Sequence, residues 1–265
     1  MSLAAATLST QRESLLEIDP GLGELLPPDR RRAAFAGLRV DVRRVSRGPV
    51  DLARLEAASA VNIGLLVVEG VLLREVVLGD DVSAELLGPG DVVRPWTLDP
   101  AGCLVDPEVR WSVLSEVLEA ALLDRRFAVE LAGYPEVNVA LIDRVNGRAV
   151  RLATSQAISQ VNRVDRRLLA LFRHLAERWG RMTPDGVLLP LRLSHGMLGA
   201  LVGARRPTIS AALGGLTRSG VLVRRTDGSW LLRGDAAEAL RAAAVPRVEP
   251  RRPLLVPPGS ATVGA

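Results

Sequence analysis

Arg205, Arg206, Thr208 and Ser210 fall within six residues, and Arg218, Arg224 and Arg225 follow within the next fifteen. A guanidinium can donate two parallel hydrogen bonds to guanine O6 and N7, or to a phosphate, and a hydroxyl can bond either a phosphate or a base edge. Ala211 between them offers only a methyl group, suited to a thymine methyl. Arg206 at a helix start is the best placed to read a base, Arg205 stands beside it at the basic entry to the helix, and Arg218, Arg224 and Arg225 suit phosphate.

These residues need a scaffold, and the flanking sequence predicts one. Ser194 is placed to cap a short helix whose apolar face is Leu198, Leu201 and Val202. Gly199 permits close helix contact, and Gly203 suits the left-handed turn that ends the helix. Pro207 fits the first turn of the next helix, where a missing N–H is harmless. Ile209, Leu213 and Leu216 repeat on one side, leaving Pro207, Ala211, Gly214 and Arg218 on the other at about 100° per residue. Val221–Arg225, a Thr226-Asp227-Gly228 turn and Trp230–Arg233 predict a hairpin. Helix, turn, basic second helix and hairpin together spell a winged helix-turn-helix that enters the major groove of double-stranded DNA.

Charge is distributed to match. The 265 residues contain no lysine, so all 34 cations are arginine and the high pI partly reflects that usage. Residues 181–234 hold eight arginines against Asp185 and Asp227, a net of +6, whereas residues 1–180 hold 22 against 25 acids. A basic end on a mildly acidic body is expected when one end meets phosphate. The Arg30-Arg31-Arg32 run reads as the start of a solvated helix through Ala33–Leu38, with nucleic-acid contact as its competing reading.

Other chemistries lack their residues. One cysteine, Cys103, makes no internal disulfide and cannot supply the four thiolates of an iron–sulfur or structural zinc site. Only His174 and His195 exist, both outside the expected barrel, too few for a cupin-type metal centre. There is no nucleophile elbow, P-loop or dinucleotide fingerprint. The chain is expected to be neither an enzyme nor a cofactor binder. With no long apolar run and no basic-then-apolar start, it is expected to be cytoplasmic and free of membrane spans.

Upstream elements must carry and control this head. Residues 1–50, broken by Pro20, Pro27-Pro28 and Pro49, read as irregular. From about Leu38 to Leu114 short Val- and Leu-rich runs (Val61–Val68, Val71–Leu78, Val82–Leu87) alternate with Gly/Asp turns, with Arg110–Leu114 a returning strand, and predict an antiparallel barrel or jelly roll. Ser115–Leu131 reads as an amphipathic helix. A longer helix spans about Glu136–Gln160, where Ile142, Val145, Ala149 and Leu152 follow the spacing of a coiled-coil seam. A helix lying on its own barrel is the competing explanation; two-fold symmetric DNA readers favour a homodimer. Gly147 within it costs ~1 kcal/mol of propensity. Val164–Trp179 is a further amphipathic helix; after Gly234 a short Ala-rich helix leads into the Pro- and Gly-rich tail Pro246–Ala265, which reads as disordered.

The Leu-Gly-Ala-Leu-Val-Gly run at 198–203, the Arg-Pro-Thr-Ile-Ser-Ala-Ala-Leu run at 206–213 and the Gly88-Pro89-Gly90-Asp91 turn make the chain resemble the Crp/Fnr family of bacterial transcription regulators. The resemblance covers roughly residues 40–234 and is strongest over Leu193–Leu222. It implies an α+β fold: an N-terminal antiparallel β-roll of the cyclic-nucleotide-binding jelly-roll type, a long dimerisation helix and a C-terminal winged helix-turn-helix. The expected boundaries are 1–37, 38–131, 132–163, 164–234 and 235–265. The resemblance also implies DNA, a second copy of the chain and RNA polymerase as partners. Pro207 stands where the family carries a recognition glutamate and Ala211 where it carries a base-contacting arginine, while Arg206 is retained; an altered sequence preference is expected. After Gly90-Asp91 the family's Gly-Glu and Arg-Ser/Thr nucleotide cassette is missing. Control by cyclic nucleotide in the usual way is therefore not expected. Arg94 and Trp96 are the remaining candidates for an effector pocket, an anion partner and a stacking face, against a surface charge and a core filler.

Overall fold

The computed structural model describes residues 7–52, 63–95 and 107–233. In chain order it holds β1 (Thr7–Ser14), α1 (Leu15–Ile18), a 3-10 turn at Pro20–Gly23, α2 (Pro28–Gly37), β2 (Arg39–Pro49), β3 (Gly64–Glu69), β4 (Leu72–Leu78), β5 (Asp81–Leu87), β6 (Val92–Val93) and β7 (Glu108–Leu123). There follow α3 (Arg125–Leu131), α4 (Pro135–Ser159), α5 (Val164–Trp179), β8 (Arg181–Thr183), β9 (Gly186–Leu189), α6 (His195–Val202), α7 (Arg206–Arg218), β10 (Leu222–Arg224) and β11 (Trp230–Leu232).

The first seven strands form one antiparallel sheet in the order β1-β2-β7-β3-β6, with β4 paired to β7 and to β5. Strand β7 is its spine. Its first half pairs with β4 (Val77↔Glu108 through Leu72↔Val113) and its second half with β2 and β3 (Asp41↔Leu122, Leu66↔Ala121). The roll closes on Val45, Leu65, Val67, Leu72, Leu87, Val113, Leu118 and Leu122, all buried. The Gly79-Asp80 turn of the β4–β5 hairpin places Gly79 at φ +58°, a conformation glycine adopts without steric cost.

Two sequence expectations are overturned here. Ser115–Leu131 is not one helix: the chain stays extended through Leu123, and helix begins only at Arg125, capped by the Asp124 carboxylate, which accepts from Phe127 N at 2.9 Å. Ala, Leu and Glu favour helix locally, but this run is flanked on both sides by strands that take its backbone hydrogen bonds, and Ala120–Leu123 are buried. The supposedly irregular N-terminus contains β1, which pairs with β2 from Thr7↔Val45 to Ser14↔Arg39. Its polar sequence suits an edge strand and shows no apolar alternation, so only the pairing reveals it.

A second core ties the N-terminal helices to the roll and to α4, with Leu15, Leu22, Leu26, Leu38, Phe127, Val137 and Leu141 buried. A third belongs to the C-terminal unit. Leu168, Leu171, Phe172 and Leu175 form the inner stripe of α5 and meet Leu198, Leu201, Ile209, Leu213 and Trp230. Val71, Leu73 and Leu86 from the base of the β4–β5 hairpin join the same cluster, so the C-terminal unit shares its core with the roll. Strands β10-β11-β9-β8 form its four-stranded sheet.

Candidate nucleic-acid interface

Helix α6 starts where Ser194 Oγ accepts from Met197 N at 3.2 Å and ends at Gly203, in the left-handed region at φ +64°, ψ +50°. Arg167 of α5 donates to the carbonyls of Val202 and Gly203, both at 3.1 Å, and so satisfies the exposed end of α6. Ala204 N donates to Gly199 O at 3.0 Å. A Cβ on Gly199 would lie 2.5 Å from Ala204 O, so the turn into α7 can be this tight only over a hydrogen atom. Pro207 occupies the first turn of α7.

The inner face of α7 is Ile209, Leu213 and Leu216, all buried. Arg205, Arg206, Thr208, Ser210, Ala211 and Arg218 are all exposed, as are Arg224 and Arg225 on the hairpin. Gly215 has no atom near its missing Cβ, and Gly214 meets only the end of Arg218, so the outward face is low in relief. The hairpin is anchored from below by Trp230, 1% exposed, whose ring lies 5.0 Å from that of Phe172. Above it, the Arg224 guanidinium sits 5.6 Å from the Trp230 ring centroid. Asp227 shapes the turn by accepting from Ser229 Oγ at 2.6 Å and Ser229 N at 2.9 Å. Those two bonds hold its carboxyl below the usual carboxylate range.

Two residues escape the sequence reading. His195 Nδ1 lies 2.8 Å from Ser210 Oγ, which itself donates to Arg206 O at 3.1 Å. The Ser210 hydroxyl thus links α6 to α7, and the imidazole adds a polar group beside Arg206. Arg192 lays its side-chain stem against Gly228 of the hairpin turn, adding a cation near Arg225. A histidine directly after a capping serine is the one signal the sequence offers for the first; nothing local marks the second.

Helix α4 has two faces. Val137, Leu141 and Ile158 are buried against the body of the molecule. On the other side Ile142, Val145 and Leu152 are 50%, 49% and 39% exposed, and Ala149 is exposed with them. Val139 and Val150 are also exposed, farther round the helix. Gly147 lies half-buried, and a Cβ there would touch only the end of Arg151.

The turn after β5 contacts α4 closely. Arg144 lies over Gly90 and bonds Asp19 at 2.9 Å; Arg148 grips Glu85 with two bonds of 2.8 and 2.9 Å and reaches Val92 O. Arg151 pairs with the buried Asp91. Arginine side chains thus occupy the approach from this turn to α4. Arg94 is exposed just after β6; Trp96 and Cys103 lie outside the described residues. Among the described residues no group of His, Cys, Asp and Glu is arranged to hold a metal, and no helix is long and apolar enough to cross a membrane.

The chain thus combines a β-roll, a long helix and a winged helix-turn-helix whose second helix presents an exposed basic face. Residues 162–242 match the model of the Crp-like helix-turn-helix domain, and the chain as a whole shares its fold with solved Crp/Fnr-type structures. A CooA variant from Carboxydothermus hydrogenoformans is 18% identical, with 77% of this chain and 88% of that one covered at a TM-score of 0.59. A cyclic nucleotide-binding domain containing protein from Listeria monocytogenes is 20% identical over 81% and 97% at 0.57. A CRP-family transcriptional regulator from Thermus thermophilus is 18% identical over 76% and 95% at 0.53. No curated protein matches the sequence.

Proposed function

We propose that the protein is a homodimeric, sequence-specific transcription regulator that binds duplex DNA through α7 and the β10–β11 wing. The observation that carries this reading is the sorting of α7. Its three large apolar residues are buried, while Arg205, Arg206, Thr208 and Arg218 share one exposed surface with Arg224 and Arg225 of the wing. Arg206, at the first position of the helix, is the base reader, and the other arginines hold phosphate. Two copies pair along Ile142, Val145, Ala149 and Leu152 of α4, which presents two heads to two half-sites.

The β-roll is not controlled by cyclic nucleotide in the usual way. The reading is supported by Arg144, Arg148 and Arg151, which are each paired with a carboxylate of the protein and so are not waiting for a phosphate. A second reading, backbone binding with little sequence preference, draws on the low relief of α7 around Ala211, Gly214 and Gly215. Mobility-shift titrations across a salt series, with and without cAMP or cGMP, test both. Duplex binding independent of nucleotide, and a specific complex that outlasts nonspecific competitor as salt rises, are expected. Strong nucleotide dependence would overturn the account of the β-roll; equal affinity for all sequences would select the second reading. No duplex binding under any condition would end both.

A further inference from the structure

We infer that Asp91 is a positioning residue for DNA recognition: through Arg151 and Arg178 it clasps the β-roll to both helices flanking the 159–164 link, and so fixes where the reading head sits. This rests on the DNA-binding reading above and adds to it a cause for the placement of the head. Asp91 is the one buried charged residue among those described, its side chain 1% exposed. Oδ2 accepts from Gly88 N at 2.9 Å and from Arg178 Nη1 at 2.6 Å, and Oδ1 accepts from Arg151 Nη2. The second amino group of Arg178 donates to Pro89 O at 2.7 Å. A carboxylate in such a site is tolerable only because it is paired and hydrogen-bonded throughout, which makes its partners hard to exchange for water.

The two cations come from different bodies. Arg151 lies on α4, which carries the exposed apolar seam, and Arg178 on α5, the first helix of the DNA-binding unit. Trp179, next in the chain, packs against the same turn: a Cβ on Gly88 would stand 2.9 Å from its ring. The turn, the seam helix and the head are therefore fastened at one carboxylate, and the head cannot swing relative to the seam without stripping Arg178 from Asp91. Beside the clasp opens a cleft of about 390 Å³ whose carboxylates (Asp91, Asp143, Glu177) equal its guanidiniums (Arg144, Arg151, Arg178). His174 also lines it, 3.6 Å from Glu177, and the pairing of Asp91 with Arg151 and Arg178 at its edge is what a fastening between protein parts needs.

The test is the distance between heads in the full-length dimer. With Cys103→Ser removing the native thiol and Thr217→Cys carrying a spin label on α7, pulsed dipolar spectroscopy reads one label in each protomer. A single narrow distance is expected with the clasp intact. Arg178→Gln and, independently, Asp91→Asn broaden or shift it, and Arg178→Lys, which keeps one cation, restores part of the narrow population. In parallel, selection of paired half-sites from a random duplex pool gives one spacing for the parent and several for Arg178→Gln, with spacing discrimination reduced at least tenfold. Folded variants with the parent's distance distribution and spacing preference overturn the proposal, as does a loss of melting temperature with both readouts unchanged. Should Arg178→Gln fail to fold, Asp91→Asn decides by the same two readouts. Absence of any dipolar signal in the parent, or of DNA binding, would instead strike the dimer or DNA reading.

Discussion

Replacing Ile142 by glutamate should split the proposed dimer while leaving each protomer folded. The protomer exposes half of Ile142 and comparable shares of Val145 and Leu152 along one side of α4. Fully burying such a side chain contributes about 1.5–3 kcal/mol, so completing the burial of Ile142 contributes roughly half that in each copy. Ile142→Glu forfeits this gain twice and brings two carboxylates into the seam; even a neutral polar group costs roughly 1–3 kcal/mol to bury without a partner, and a carboxylate costs more. The total is about 4 kcal/mol or more, which corresponds to roughly a thousandfold rise in the dimer dissociation constant. Sedimentation equilibrium over a concentration series measures it directly, with circular dichroism to show that helix content is retained. Val129→Glu is the control: Val129 is even more exposed, at 69%, but lies on α3 outside the seam, and its change should leave association alone. A parent that sediments as a monomer at micromolar concentration, or an Ile142→Glu dimer of unchanged affinity, would refute the reasoning.

Three further changes probe the reading head. Gly199→Ala places a methyl 2.5 Å from the Ala204 carbonyl, a backbone atom that cannot rotate away. We expect a loss of about 1–3 kcal/mol in a calorimetric scan and weaker DNA binding as α7 is displaced; an unchanged melting temperature would show that the turn yields freely. Trp230→Ala removes the buried ring under the wing and should cost about 3–5 kcal/mol, read as early loss of the C-terminal unit in hydrogen exchange. Asp227 has a carboxyl held below its unfolded value by Ser229 Oγ and N. Its stabilisation of the wing turn is therefore present above the unfolded value of about 3.9 and lost as pH falls through the lower folded value. Amide signals around Ser229 should shift together below about pH 4, and Asp227→Ala should abolish that transition. A wing insensitive to acid in the parent would contradict the assignment.

Local chemistry made the helix-turn-helix legible. Ser194, Gly203 and Pro207 each mark a helix end by a short-range rule, and Ile209, Leu213 and Leu216 mark a face. All eight residues expected to face DNA are indeed exposed, although Ser210 spends its hydroxyl between α6 and α7. The roll was legible only where Gly/Asp turns separate its strands. Strand β7 was hidden because Ala, Leu and Glu prefer helix, and only long-range pairing with β2 and β3 reverses that preference. The clasp was invisible for the same reason carried further. Asp91 and Arg178 stand 87 residues apart, and in a chain whose cations are all arginine no local feature singles out the one that is paired.

The central claim is that α7 reads duplex DNA with Arg206 as its base contact. Selection from a random duplex library by the full-length protein, repeated with Arg206→Ala, tests it most directly. The expected result is an enriched inverted repeat whose half-sites contain a guanine that the variant no longer prefers, with a loss of about 1–3 kcal/mol on the parental site. Enrichment of no sequence by the parent, or an identical motif and affinity after Arg206→Ala, would contradict it.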